Sequence, residues 1–160
     1  MSFTIEISGM EDLVARMDKM EGKGRDVASL ALYEGAAVVA NRLGSAVQGI
    51  ATEEFRYTKN GTRLPSPEEK ALLMNARKGV AKFRKTKTSV NTSIGMQNAG
   101  YGDIKGKTKP IPLIANAINS GTSFMKPQPF FRQAVETSAG AAEAAVERGI
   151  ESRLDMLDLE

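Results

Sequence analysis

Apolar and polar residues alternate at the start of the chain, with Phe3, Ile5 and Ile7 set against Thr4, Glu6 and Ser8. This period of two predicts a half-buried strand closed by Gly9. The period then changes: Met10, Leu13, Val14 and Met17 fall at helical spacing, predicting a short amphipathic helix interrupted by the Gly22 and Gly24 pair. A second helix is expected from about Arg25 to Gly49. Between Val27 and Ala40 it is apolar on nearly every face, and Ala28, Ala31, Ala36, Ala37 and Ala40 leave room for close neighbours. Such a helix has to be covered on several sides, by its own domain or by another subunit.

Residues 52–65 read as loop, mixing Arg56, Tyr57 and Lys59 with the turn dipeptide Asn60-Gly61 and ending at Pro65. Ser66-Pro67-Glu68-Glu69 is a helix start: a capping hydroxyl, proline in the first turn, and acids where the helix dipole favours them. The helix is expected to run from Pro67 to about Phe83. Thr86 to Met96, rich in Thr, Ser and Val, suits a strand with a polar face. Residues 98–110, with Gly100, Gly102 and Gly106 among charges, predict a mobile loop. Leu113 to Ser120, behind Pro110-Ile111-Pro112, is too short to assign from pattern alone. From Pro129 onward Phe131, Val135, Ala142, Val146, Ile150, Leu154 and Leu157 recur at three-, four- and seven-residue steps, marking one long amphipathic helix. Gly140 and Gly149 are expected to weaken it, and the alanine-rich stretch 139–145 to admit a second helix closely. The elements predict one α+β domain over residues 1–160, helix-rich, with a small antiparallel sheet against a long helix of the N-terminal half and a long C-terminal helix. Its basic region spans 52–87 and its mobile loop 98–110.

Composition narrows the chemistry. The chain has no cysteine, hence no disulfide or thiolate metal site, and no histidine, the commonest general base and metal ligand. No enzyme activity and no cofactor are expected. Val27 to Ala40 is shorter than the ~20 residues a spanning helix needs, and the first residues lack the basic and apolar regions of a secretory signal. The net charge of +3 hides an asymmetry: residues 56–109 carry thirteen basic and three acidic side chains, a local +10 against −7 for the remainder.

Each candidate constellation has a bland counterpart. Gly102 to Thr108 ends in Gly-Lys-Thr but lacks the four-residue glycine spacing of a phosphate loop, and prolines follow where a helix should begin. Arg77, Lys78, Lys82, Arg84, Lys85 and Lys87 form the strongest charge run. On a helix, Arg77, Lys78, Lys82 and Lys85 would share one side, and Lys105, Lys107 and Lys109 could extend the patch. The choices are a solvated face, or contact with DNA phosphates or an acidic protein. Aromatic interleaving is thin, Phe83 and Tyr101 only, so base stacking has little support. Adjacent acids Glu53-Glu54 and Glu68-Glu69 point apart on a helix and read as solvation and capping. Met10 and Met17 read as core; Met96 and Met125 are candidates for an interface.

The most distinctive stretch is Ile118-Asn119-Ser120-Gly121-Thr122 followed by Lys126-Pro127-Gln128-Pro129-Phe130-Phe131. Gly121 permits a turn, Pro127 and Pro129 stiffen the connection, and Phe130 and Phe131 would anchor the long helix. Gly121 and Thr122, then Pro127, Gln128, Pro129 and Phe130 before an alanine-containing helix, resemble the signature of the phage tail-completion family, the gene-product-ten family of lambdoid-type siphophages. Thr92-Ser93-Ile94 resembles the family's strand opening with small hydroxyl residues. The family commonly places an acid just before Gly-Thr, where this chain has Asn119-Ser120, and its usual connection is shorter than residues 53–87 here. The resemblance implies a structural virion protein, present in host cytoplasm during assembly. It would form a homo-oligomeric ring, a hexamer being one candidate size, around a DNA channel, and would join the tail tube or tail terminator protein to the head–tail connector and adaptor proteins. The alternative is a non-sequence-specific nucleic-acid-binding protein using residues 77–109.

Overall fold

A computed structural model of the chain describes residues 2–7, 23–54, 63–76, 79–80, 84–85, 90–96 and 99–158. The expected short helix over Met10 to Met17 lies outside them. Strand β1 (Ser2–Ile7) matches the alternation at the start of the chain, and helix α1 (Gly24–Gln48) matches the helix expected from about Arg25 to Gly49. Helix α2 (Pro67–Asn75) begins as the capping signal predicts but stops eight residues early. It gives way to the short strands β2 (Gly79–Val80) and β3 (Arg84–Lys85), then β4 (Val90–Gly95). Within the expected mobile loop, strands β5 (Tyr101–Ile104) and β6 (Lys107–Pro110) form an antiparallel hairpin instead. Helix α3 (Ile111–Ser120) follows directly, and helix α4 (Phe130–Asp158) is the long helix predicted after Pro129. The chain is α+β and helix-rich.

The chain divides into two compact units. In the unit built from 3–40, 80–94 and 138–160, β4 is the centre of a small sheet, flanked in the order β1-β4-β2, with β3 pairing β4 antiparallel (Arg84 opposite Asn91, Lys85 opposite Val90). Val90, Thr92 and Ile94 are buried and Asn91 and Ser93 half-buried, the alternation of a one-faced strand. The other half of this core is α1 against α4, with Ala28, Ala31, Leu32, Ala36 and Val39 buried on one helix and Ala142, Ala145 and Ile150 on the other. Contact is close enough to require glycine twice. A Cβ on Gly35 would lie 2.5 Å from Val146 Cγ2 and 3.0 Å from the Ala142 carbonyl oxygen, and one on Gly149 would lie 3.0 Å from Ala31 Cβ. Gly149 is therefore a crossing point, not a weak one. Glu34, the charge inside the apolar segment, pairs with Arg153 at 2.6 Å. Leu30 and Tyr33 stay about half exposed, so α1 is not covered on every side.

The other unit holds 41–79 and 95–137. Its core is Leu43, Val47, Ile50, Leu73, Met96, Ile114, Ile118, Met125, Phe130 and Phe131. Met96 and Met125, candidates for an interface, are buried within the chain itself (2% and 5% exposed). Helix α3 carries Ile111, Ile114, Ala115 and Ile118 at i, i+3, i+4 and i+7, one fully apolar face, with Pro112 in its first turn.

Candidate functional site: a proline corner and its groove

Helix α3 ends at Gly121, whose φ of 75° and ψ of 171° lie in a region essentially reserved for glycine. A Cβ there would also meet Pro127 Cδ at 2.9 Å and the Met125 oxygen at 3.0 Å. Thr122 closes the turn that follows: its backbone exchanges hydrogen bonds with Met125, and its hydroxyl accepts from the N–H groups of Phe124 (3.2 Å) and Met125 (3.0 Å). Phe124 is left 74% exposed on a pinned backbone, because the Arg63 N–H donates to its carbonyl at 2.8 Å.

Gln128 holds the corner to the end of α1. Its Oε1 accepts from the Ala51 N–H and its Nε2 donates to the Ala51 carbonyl, both at 2.9 Å, while its own N–H donates to the Ile118 carbonyl. Asn119 Oδ1 accepts from the Phe131 N–H at 3.1 Å, satisfying one of the orphan donors at the start of α4. The residues Gly121, Thr122, Pro127, Gln128, Pro129 and Phe130 thus converge on one rigid turn.

Beside the corner, the last turns of α1, residues 127–130 and the first turns of α4 enclose a groove of about 490 Å³. Its lining is mixed, with Ala46, Ile50, Pro127, Phe130 and Ala134 beside Ser45, Gln128, Gln133 and Thr137, and among its lining residues Arg42 alone is charged. The Arg42 guanidinium is fixed by donating Nε–H to Thr137 Oγ1 at 3.0 Å. This groove was not visible in the sequence, since its walls come from residues about 80 positions apart.

A second polar cluster braces the same unit. Ser66 and Glu69 form a capping box: the Ser66 hydroxyl accepts from the Glu69 N–H, and Glu69 Oε2 accepts from the Ser66 N–H. Arg63 grips both oxygens of Glu69 at 2.8 Å. Burial alone pushes the Glu69 carboxyl upward. The hydrogen bonds from Arg63 and Ser66, with the charges of Arg63 and Lys109, outweigh burial and hold it below the usual carboxylate range. The hydrogen bond to Glu69 in turn raises Arg63. Glu69 is a structural anchor, as the capping reading predicts, though its ion pair with Arg63 depends on a contact that no local pattern shows.

Of the expected basic face, Arg84 and Lys85 belong to extended β3, and Arg77, Lys78, Lys82 and Lys87 lie outside the described residues. Lys105, Lys107 and Lys109 are all exposed on the hairpin, whose two-residue turn is Lys105-Gly106, both at positive φ (52° and 75°). Lys107-Thr108 is strand, not the helix start a phosphate loop needs. Gly102 lets the hairpin lie on α2, since a Cβ there would meet Leu72 Cδ1 at 2.6 Å. Among the described residues no group of three or more acidic side chains is placed to hold a metal ion, and no helix is long and apolar enough to cross a membrane. No protein-family model, curated protein or solved structure matches the chain.

Proposed function

We propose that this chain is a structural assembly subunit of a tailed phage or prophage that completes the tail or joins the tail tube to the head–tail connector, acting as one member of an oligomeric ring. The observation that supports the reading is the use to which the resembling residues are put. Gly121, Thr122, Pro127, Gln128, Pro129 and Phe130 serve the turn between α3 and α4 and hold it to α1. Where the family commonly has an acid, Asn119 caps α4, and a carboxylate could accept the same hydrogen bond.

In this reading the mechanism is association itself. The test is mass determination by light scattering and particle imaging, alone and after mixing with phage connector and tail-terminator proteins. Rings or mixed complexes are expected; a monomer under both conditions refutes the reading. A second reading, nucleic-acid binding, draws on the three exposed lysines of the hairpin. It predicts duplex DNA affinity that falls steeply with salt and is lost when Lys105, Lys107 and Lys109 are changed to Glu.

A further inference from the structure

The groove beside Arg42 and the far end of α4 have complementary chemistry. The groove offers apolar and neutral polar surface with one cation held by a hydrogen bond, and no acidic residue lines it. A ligand that sets a carboxylate next to an apolar group matches it. The last turns of α4 present that pair: Asp155 is exposed and Met156 is 65% exposed, and the sequence continues Leu157-Asp158-Leu159-Glu160. Acids at a helix C-terminus face the negative end of the dipole, and the last turn of α4 holds no basic residue to offset them. Arg153, one turn earlier, is engaged by Glu34. This turn therefore gains from an external cation.

We propose that the groove lined by Arg42 receives the acidic C-terminal turn of α4 from a second copy of this chain, joining copies head to tail. A 29-residue helix measures about 43 Å, so α4 cannot bring its own last turn to its own first. The contact is heterologous, the kind that closes into a ring when the rotation between copies allows it. This inference rests on the assembly reading above and names the surface that reading leaves open. Arg42 supplies orientation and charge, the apolar part of the lining takes Met156, and the unbranched thioether adapts to it.

The test is sedimentation velocity of the full chain over a range of concentrations, at low and high salt, for the wild type, Arg42→Glu, Asp155→Lys and an equimolar mixture of the two variants. Both sites are exposed, and circular dichroism checks that each variant is folded. Each variant alone is expected to associate about a hundredfold more weakly, because like charges meet at the contact. The mixture is expected to recover association, since each groove then meets a helix end of opposite charge. Variants that associate as the wild type does, or a mixture that fails to recover, overturn the head-to-tail contact while leaving the assembly reading intact. A wild type that stays monomeric alone and with the connector and terminator proteins overturns both.

Discussion

Two glycine-to-alanine substitutions in helices should move stability in opposite directions. In α1, a Cβ at residue 35 would stand 2.5 Å from Val146 Cγ2 and 3.0 Å from the Ala142 carbonyl oxygen. Neither neighbour yields cheaply: a valine in a helix has one strongly preferred χ1, and the carbonyl moves only with α4 itself. Overpacking of this kind costs about 1–3 kcal/mol, against about 1 kcal/mol gained by replacing glycine with alanine inside a helix. Gly35→Ala should therefore destabilise, by up to about 2 kcal/mol. In α4, nothing stands within 4 Å of a Cβ at residue 140, so Gly140→Ala keeps the whole propensity gain and should stabilise by about 1 kcal/mol. Urea denaturation at one fixed protein concentration measures both, with unchanged slope showing that only stability has moved. For a chain of this length each kcal/mol is worth roughly 2–4 °C in Tm. A Gly35→Ala variant that gains stability as Gly140→Ala does would refute the close crossing of α1 and α4.

Other expectations concern the corner and its brace. Gly121→Ala should cost about 2–3 kcal/mol, from a backbone conformation that only glycine adopts freely and from contact with Pro127, read as a drop in urea midpoint. Gln128→Ala removes two hydrogen bonds to Ala51 and should cost about 1–2 kcal/mol, with faster amide exchange at Ala51 as its local sign. Glu69→Ala removes both hydrogen bonds from Arg63 and the acceptor of the Ser66 N–H, and should cost about 2–3 kcal/mol. Because the folded Glu69 pKa is lowered, its stabilisation is complete above the unfolded glutamate value of about 4.3 and disappears as pH falls through the folded value. Glu69→Gln should flatten the acid limb of the stability curve, and an unchanged limb would count against the ion pair.

The parts of the fold that the sequence made legible are those where a pattern ran long. Helix α4 repeats its apolar spacing along most of its length, helix α1 stands out as a long alanine-rich apolar run, and Ser66 to Glu69 carries a complete capping signal. The errors have physical reasons. Arginine and lysine are good helix formers, so the pattern carries the expected helix past Asn75, whereas Gly79–Val80 and Arg84–Lys85 are short strands beside β4. The hairpin was hidden because Tyr101–Ile104 and Lys107–Pro110 have little β-branched content and turn on Lys-Gly, a weaker signal than Asn-Gly. Helix α3 is too short to assign from pattern, since ten residues give few repeats to judge by. The corner was recognised as a motif, yet its anchors came from the fold: Ala51 for Gln128, Arg63 for Phe124 and Glu69. The groove needed two helix ends to meet.

The claim that organises this account is that the chain works by assembling. Mass measured on the purified protein, alone and with phage connector and tail-terminator proteins, tests it most directly. The account predicts a defined oligomer or mixed complex that weakens when Arg42 or Asp155 is reversed in charge; a monomer in both settings, at every concentration, would contradict it.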